Sequence, residues 1–292
     1  MNLSGLSFNG LPPIDLPFRF FLSAPIFMLV CAGLVFMGGE SLWLSRWHPL
    51  LLALTHGFTL GFLTMVMFGA LLQLLPVIAG ISIPNPRVIA SISHASLVLG
   101  TVNIILGFVY GKDWMLYSAI ICLAFSLGLY LLALSWVLIK RMSQGDSIRG
   151  FRLAISALLI TLLLGLILLA RNLGFEWIPA NKILTNIHAL WGLVGWAGLL
   201  IIAVSFQVIP MFHVAPSFPK LITRCLALVI FLLLFVFMLA PAIAMPILSL
   251  CHAVFALVLL YVIRQRKRKI PDTSVRYWQL AAISLLLASL LY

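Results

Sequence analysis

LTHGFTLGFLTMVMFGALLQLLPVIAG, residues 54–80, and NIHALWGLVGWAGLLIIAVSFQVIP, residues 186–210, decide how this chain is built. Gly61, Phe62, Gln73 and Pro76 of the first stretch meet Gly195, Trp196, Gln207 and Pro210 of the second at one constant offset of 134 residues. Each stretch is long and apolar enough to cross a bilayer, and each carries one histidine near its start, His56 or His188. Two copies of one helical unit are expected.

The flanking sequence extends the repeat. FRFFLSAPIFMLVCAGLVFM, residues 18–37, aligns with FRLAISALLITLLLGLILLA, residues 151–170, at an offset of 133, and the prolines before Arg87 resemble the segment SFPK at 217–220. Each half reads as a four-helix unit entered through Phe-Arg. Four is even, so both units take the same orientation in the membrane, unlike the halves of inverted-repeat transporters.

Composition agrees with this reading. With 64% hydrophobic residues, 8% charged residues and a mean hydropathy of +1.21, a soluble core of 292 residues is excluded. The fold class is all-α, a polytopic transmembrane bundle of about nine spans, placed at 19–39, 48–79, 88–110, 114–139, 153–173, 183–211, 221–239, 245–263 and 277–292. Residues 1–140 form the first four-helix repeat, 141–263 the second, and 264–292 a basic cytoplasmic linker with a C-terminal helix. That last run has 16 residues. It reaches only about 24 Å as a helix against about 30 Å of hydrocarbon, so it either spans with little tilt or lies partly in the interface. The first run lacks a small-residue cleavage site and is expected to be retained.

A formal net charge of +12 could suggest nucleic acid, but the positions of the cations point to membrane topology. With the N-terminus in the cytoplasm, 14 of the 18 Lys and Arg fall inside, Arg141 and Lys269 among them, and only Arg46, Lys112, Arg171 and Lys182 fall outside. The run RQRKRK at 264–269 then reads as a topogenic, lipid-facing loop, and no nucleic-acid partner is expected. Cys31, Cys122, Cys225 and Cys251 lie in spans without a C-x-x-C pair and read as packing residues.

All six acidic residues, Asp15, Glu40, Asp113, Asp146, Glu176 and Asp272, fall in termini, loops or interfaces. This argues against transport through a carboxylate relay and leaves histidine as the main ionisable group within the bilayer. On this topology His56, His188 and His252 share a level near the outer surface, with His48 at its edge, while His94 and His213 belong to the inner side. Neutral imidazole is a good ligand for haem iron and copper, and ligation would satisfy a polar group that lipid leaves unsolvated. The cofactor-binding candidates are His56, His188, His252 and His94. His213, His48 and Met211 are candidates for copper. An intramembrane histidine can also simply hydrogen-bond to a neighbouring helix. Pro76 and Pro210 are expected to end or kink their helices.

PFRFFL at 17–22, WHP at 47–49, THGFTLGF at 55–62 and the following LLPVIAG resemble the opening of the NnrS-type family, haem- and copper-containing membrane proteins of the bacterial nitric-oxide response. More distantly, both repeat stretches resemble the histidine-rich helix of the haem-copper oxidase and nitric-oxide reductase catalytic subunits. His56 takes the second histidine position of that motif and His188 the first, while Leu54 and Leu190 replace the partners. The resemblance implies a bacterial inner-membrane protein holding haem b, with copper as a further cofactor. Its role would be electron transfer, response to nitric oxide or oxygen, or handling of respiratory cofactors, alongside a redox partner or respiratory complex. The incomplete motif argues against an oxygen- or nitric-oxide-reducing centre. The alternative from another class is a cofactor-free permease, or a scaffold subunit of a respiratory complex.

Overall fold

The computed structural model describes residues 11–140, 145–175, 182–268 and 270–291, and among these every regular element is helical. Nine helices follow one another among the described residues. They are α1 (Asp15–Gly38, continued by a 3-10 turn at Gly39–Trp43), α2 (Pro49–Ala79), α3 (Pro86–Tyr110), α4 (Asp113–Lys140), α5 (Asp146–Asn172), α6 (Lys182–His213), α7 (Lys220–Leu239), α8 (Pro241–Arg264) and α9 (Thr273–Leu290). The first eight are long and apolar enough to cross a membrane, and α9 falls short of that hydropathy. The chain is an all-α, multi-pass membrane protein. Arg141, Glu176 and Lys269, the expected domain boundary at 140–141 and the end of the ninth run at Tyr292 lie outside the described residues.

Helix ends follow from local chemistry. Pro49, Pro86 and Pro241 each open a helix at its first turn, where the missing N–H has no helical partner to lose. Gly80 and Gly111 close α2 and α3 in the left-handed conformation that releases a chain from a helix. Asp272 caps α9 by accepting the backbone N–H of Ser274. Large apolar side chains such as Leu29, Phe36, Leu132 and Ile139 stand on the surface, as suits a lipid environment.

Two compact units divide the chain: Met1–Met142 with Leu162–Ala180, and Ser143–Thr161 with Asn181–Tyr292. In the first, α1 and α2 run antiparallel and approach closely at glycines. A Cβ built on Gly61 would lie 2.4 Å from Cγ of Phe27, and one on Gly69 would lie 3.0 Å from the Pro17 carbonyl oxygen. Small residues permit such approach between helices that share a lipid environment. Tyr130 of α4 is fully buried, stacks on Phe68 at 3.7 Å between ring centres, and donates its hydroxyl to the Phe68 carbonyl at 2.5 Å.

The second unit repeats that crossing. Gly150 of α5 faces Ala203 of α6, with a built Cβ only 2.7 Å from the alanine methyl. By the sequence offsets this is the Pro17–Gly69 contact with the glycine moved to the other helix. Further along, Gly195 faces Ala157 of α5 and Leu234 of α7. Trp191 is fully buried with its ring edge-on to Phe231 and Phe235 of α7.

Both long helices contain a π-helical segment, Gly57–Thr64 in α2 and Trp191–Gly198 in α6, again 134 residues apart at both ends. The Thr64 hydroxyl donates to the carbonyl of Thr59, five residues back, at 2.8 Å. Pro76 and Pro210 both lie inside the last turn, and their helices end three residues later, at Ala79 and His213. The next residue is left-handed in both copies: Gly80 at φ 68° and Val214 at φ 52°.

Candidate functional site

His56, the residue before the first π segment, directs Nδ1 to the carbonyl oxygen of Leu52 on its own helix at 2.8 Å. Its ring lies 5.6 Å from that of Phe108 near the end of α3. A carbonyl oxygen can only accept, so Nδ1 carries the proton and Nε2 carries the lone pair of the neutral ring. This is the arrangement in which metal-binding histidines are commonly held.

The same tautomer is set in the second unit by two further carbonyls. His188 Nδ1 lies 3.1 Å from the carbonyl oxygen of Thr161 on α5. His252 Nδ1 lies 2.7 Å from that of Leu248, one turn back on α8. A Cβ built on Gly198, the last residue of the second π segment, would lie 3.8 Å from Nε2 of His252. The nitrogen bearing the lone pair thus faces a position on α6 that has no side chain.

Position along α6 separates the two rings of this unit, so His188 and His252 do not share the level expected from the sequence. Gly198 follows His188 by ten residues, roughly 15 Å or a little less at helical rise. Between them Trp191, one turn from His188, buries Nε1 with no hydrogen-bond partner among the described residues. A buried donor left unpaired is costly, and this one stands beside the candidate ligand. Nothing in the sequence marks Trp191 as a site residue, because an aromatic residue in an apolar span carries no signal of where its N–H points.

His94 is held differently. Its Nε2 lies 2.8 Å from the Ser23 hydroxyl, which itself donates to the Arg19 carbonyl, so the imidazole is the donor in that pair and Nδ1 keeps the lone pair. The ring packs edge-on to Phe20 at 5.0 Å. His94 sits in the third turn of α3 and Phe108, against His56, near its end, about 21 Å apart at helical rise. The first unit therefore carries its histidines at two levels.

No family model matches the sequence, and no curated protein or solved structure matches the chain.

His48 caps α2 immediately before Pro49, and its Nδ1 is buried without a hydrogen-bond partner among the described residues. His213, 3% exposed, ends α6 with Nδ1 3.4 Å from Asp272 Oδ2, within ion-pair range yet not aligned as a hydrogen bond. Met211 precedes His213 by two residues, which in a helix turns the side chains to nearly opposite sides. Gln73 buries Nε2 with no hydrogen-bond partner among the described residues. Among the described residues no three His, Cys, Asp or Glu side chains converge as a metal-binding group. A histidine-ligated haem asks for one or two protein ligands only.

Proposed function

We propose that this protein is a histidine-ligated haem b protein of the membrane, acting in electron transfer, gas response or the handling of respiratory cofactors, with axial ligands drawn from His56, His188 and His252. One observation carries the reading. Three imidazoles inside apolar spans each have Nδ1–H engaged by a backbone carbonyl, which fixes the tautomer that offers Nε2 to a metal. Haem supplied to such a ring would bring a redox-active iron whose potential responds to the second ligand and to burial. The chain's own part is to hold the imidazoles, to exclude water with the surrounding apolar side chains, and to keep a face of α6 clear at Gly198. His94, with its Nδ1 lone pair, His48, and His213 beside a carboxylate are candidate ligands for a second haem or for copper, each within its own unit. The positive-inside distribution supports a cytoplasmic N-terminus, and the resemblance described above supports the bacterial inner membrane.

Oxidised and dithionite-reduced absorption spectra of detergent-purified protein, with iron and copper quantified on the same sample, test this. A sharp reduced α-band with about one or two irons per chain is expected. Colourless protein from haem-supplied cells refutes it. A second reading, a cofactor-free permease or scaffold, draws on the cross-helix pairs His94–Ser23 and His188–Thr161, which join helices whether or not a metal is bound. It gains ground only if both metals are absent.

A further inference from the structure

The N-terminal ends of α1 and α3 meet at Asp15. Its Oδ2 lies 3.3 Å from an Arg19 guanidinium nitrogen and 3.5 Å from one of Arg87, and Arg19 also donates to the Ser91 hydroxyl at 2.7 Å. The second unit builds a like corner from different positions. Asp146, the first residue of α5, accepts from Arg149 in the next turn and from the Thr223 hydroxyl of α7, and the Arg224 charge acts on it as well. The two aspartates do not align, since an offset of 133 carries Asp15 to Ile148. Each nonetheless ties the first helix of its unit to the third at the same end.

Neither corner is neutral. One carboxylate faces Arg19 and Arg87 in the first unit, and in the second one carboxylate stands with Arg149 and Arg224, with Lys220 in the same turn of α7. The Arg19, Arg87 and Arg149 side chains are 42%, 67% and 46% exposed, so they retain donors directed outward. In the same first helical turns large apolar side chains are exposed as well: Phe18 and Val88 in the first unit, Leu221 in the second. A soluble anion would gain nothing from such neighbours. An amphiphile would gain twice, with a phosphate on the guanidinium groups and an acyl chain along the apolar side chains.

We propose that each corner is a docking site for the headgroup of an anionic phospholipid. The inference is independent of any cofactor.

The test uses the full chain in nanodiscs of phosphatidylcholine, of phosphatidylcholine with one-third phosphatidylglycerol, and of phosphatidylcholine with soluble glycerol phosphate. Phosphatidylglycerol should raise the thermal midpoint and be retained over phosphatidylcholine in native mass spectra, by about fivefold for each guanidinium engaged. The double variant Arg87→Gln/Arg224→Gln, which leaves Arg19 and Arg149 in place, should reduce both effects, the lipid preference by about fivefold at each corner, and Lys112→Gln, at the opposite end of α3, should reduce neither. Equal midpoints in the two lipids, or an unchanged preference in the double variant, would overturn the proposal. So would an equal rise with soluble glycerol phosphate, since that describes a phosphate site rather than a lipid site. Should the double variant fail to fold, the association of spin-labelled phosphatidylglycerol and phosphatidylcholine with the wild-type chain decides: a preference for the anionic lipid supports the proposal and parity sinks it.

Discussion

Nδ1 of His213, the last residue of α6, lies 3.4 Å from Oδ2 of Asp272, the N-cap of α9. The backbone N–H of Lys267 donates to the Val214 carbonyl at 3.0 Å beside it. Together these contacts join the end of α6 to the segment that leads into the last helix. The approach of α9 is thereby set by one buried imidazole, one carboxylate and one left-handed valine.

Acid should loosen that junction. The Ser274 hydroxyl and backbone N–H, and then His213, hold the Asp272 carboxyl below the usual carboxylate range. A carboxyl whose pKa is lowered by folding stabilises the fold above its unfolded value, near 3.9, and loses that contribution as pH falls through the depressed value. Asparagine keeps the capping oxygen and removes the charge. Thermal melts in detergent between about pH 6 and pH 3 should show a steeper acid loss for the wild type than for Asp272→Asn. Parallel curves would remove the carboxylate from the account.

Gly198 offers a test of the haem reading that leaves every histidine in place. A leucine there would project toward Nε2 of His252, where a built Cβ already lies 3.8 Å away. Gly198→Leu should lose reduced haem absorbance much as His252→Ala does. Gly128→Leu, at a position with nothing within 4 Å of a built Cβ, should keep it. If Gly198→Leu binds haem normally, the ligand face of His252 is not the one used.

The paired glycines of the repeat should tolerate a methyl group unequally. At Gly61 a Cβ would fall 2.4 Å from Cγ of Phe27, and at Gly195 it would fall 3.0 Å from the Ala157 methyl. Overpacking a fitted core typically costs about 1–3 kcal/mol, and Gly61→Ala should lie toward the upper part of that range. Gly195→Ala should cost less. Denaturation midpoints of the two single variants in one detergent give the order directly.

Gly80 and Val214 hold the same left-handed place after α2 and α6. A side chain with a Cβ pays about 1–2 kcal/mol in that conformation. Gly80→Val should therefore destabilise by about that amount. Val214→Gly should leave stability equal or slightly raised, because the relief is partly offset by about 0.5–1 kcal/mol of glycine's backbone freedom. A large loss in Val214→Gly would show that the valine side chain contributes more than its backbone costs.

Much of the architecture was legible in the sequence because lipid imposes a simple rule: twenty apolar residues mean a span. All eight qualifying helices coincide with expected runs, but several begin earlier than hydropathy suggests. α5 starts at Asp146 rather than 153, and α8 at Pro241 rather than 245. Polar first turns such as the one holding Asp146 and Arg149 lie outside the apolar signal, yet they continue the helix and form ion pairs at its end. The histidines could be named from sequence as the ionisable groups of the spans. Their partners could not, since Ser23 reaches His94 and Thr161 reaches His188 from other helices, and a one-dimensional pattern does not say which helices are neighbours. The π segments were equally hidden: Gly57–Thr64 and Trp191–Gly198 are richer in glycine than the α-helix around them, but glycine in a span reads first as a close helix contact and does not specify a change in hydrogen-bond register.

A π segment is, in effect, an α-helix into which roughly one extra residue has been threaded. One residue corresponds to about 100° of rotation about the helix axis. In α2 this turns the face carrying His56 away from the azimuth that Gln73 and Pro76 would otherwise dictate, and in α6 it does the same for His188 with respect to Gln207 and Pro210. The two ends of each long helix are thus aimed separately while remaining one continuous rod. Removing one residue from either segment would rewind the rod and swing its histidine from one set of neighbours to another, so the length of these eight-residue stretches is itself a determinant of where the imidazoles face.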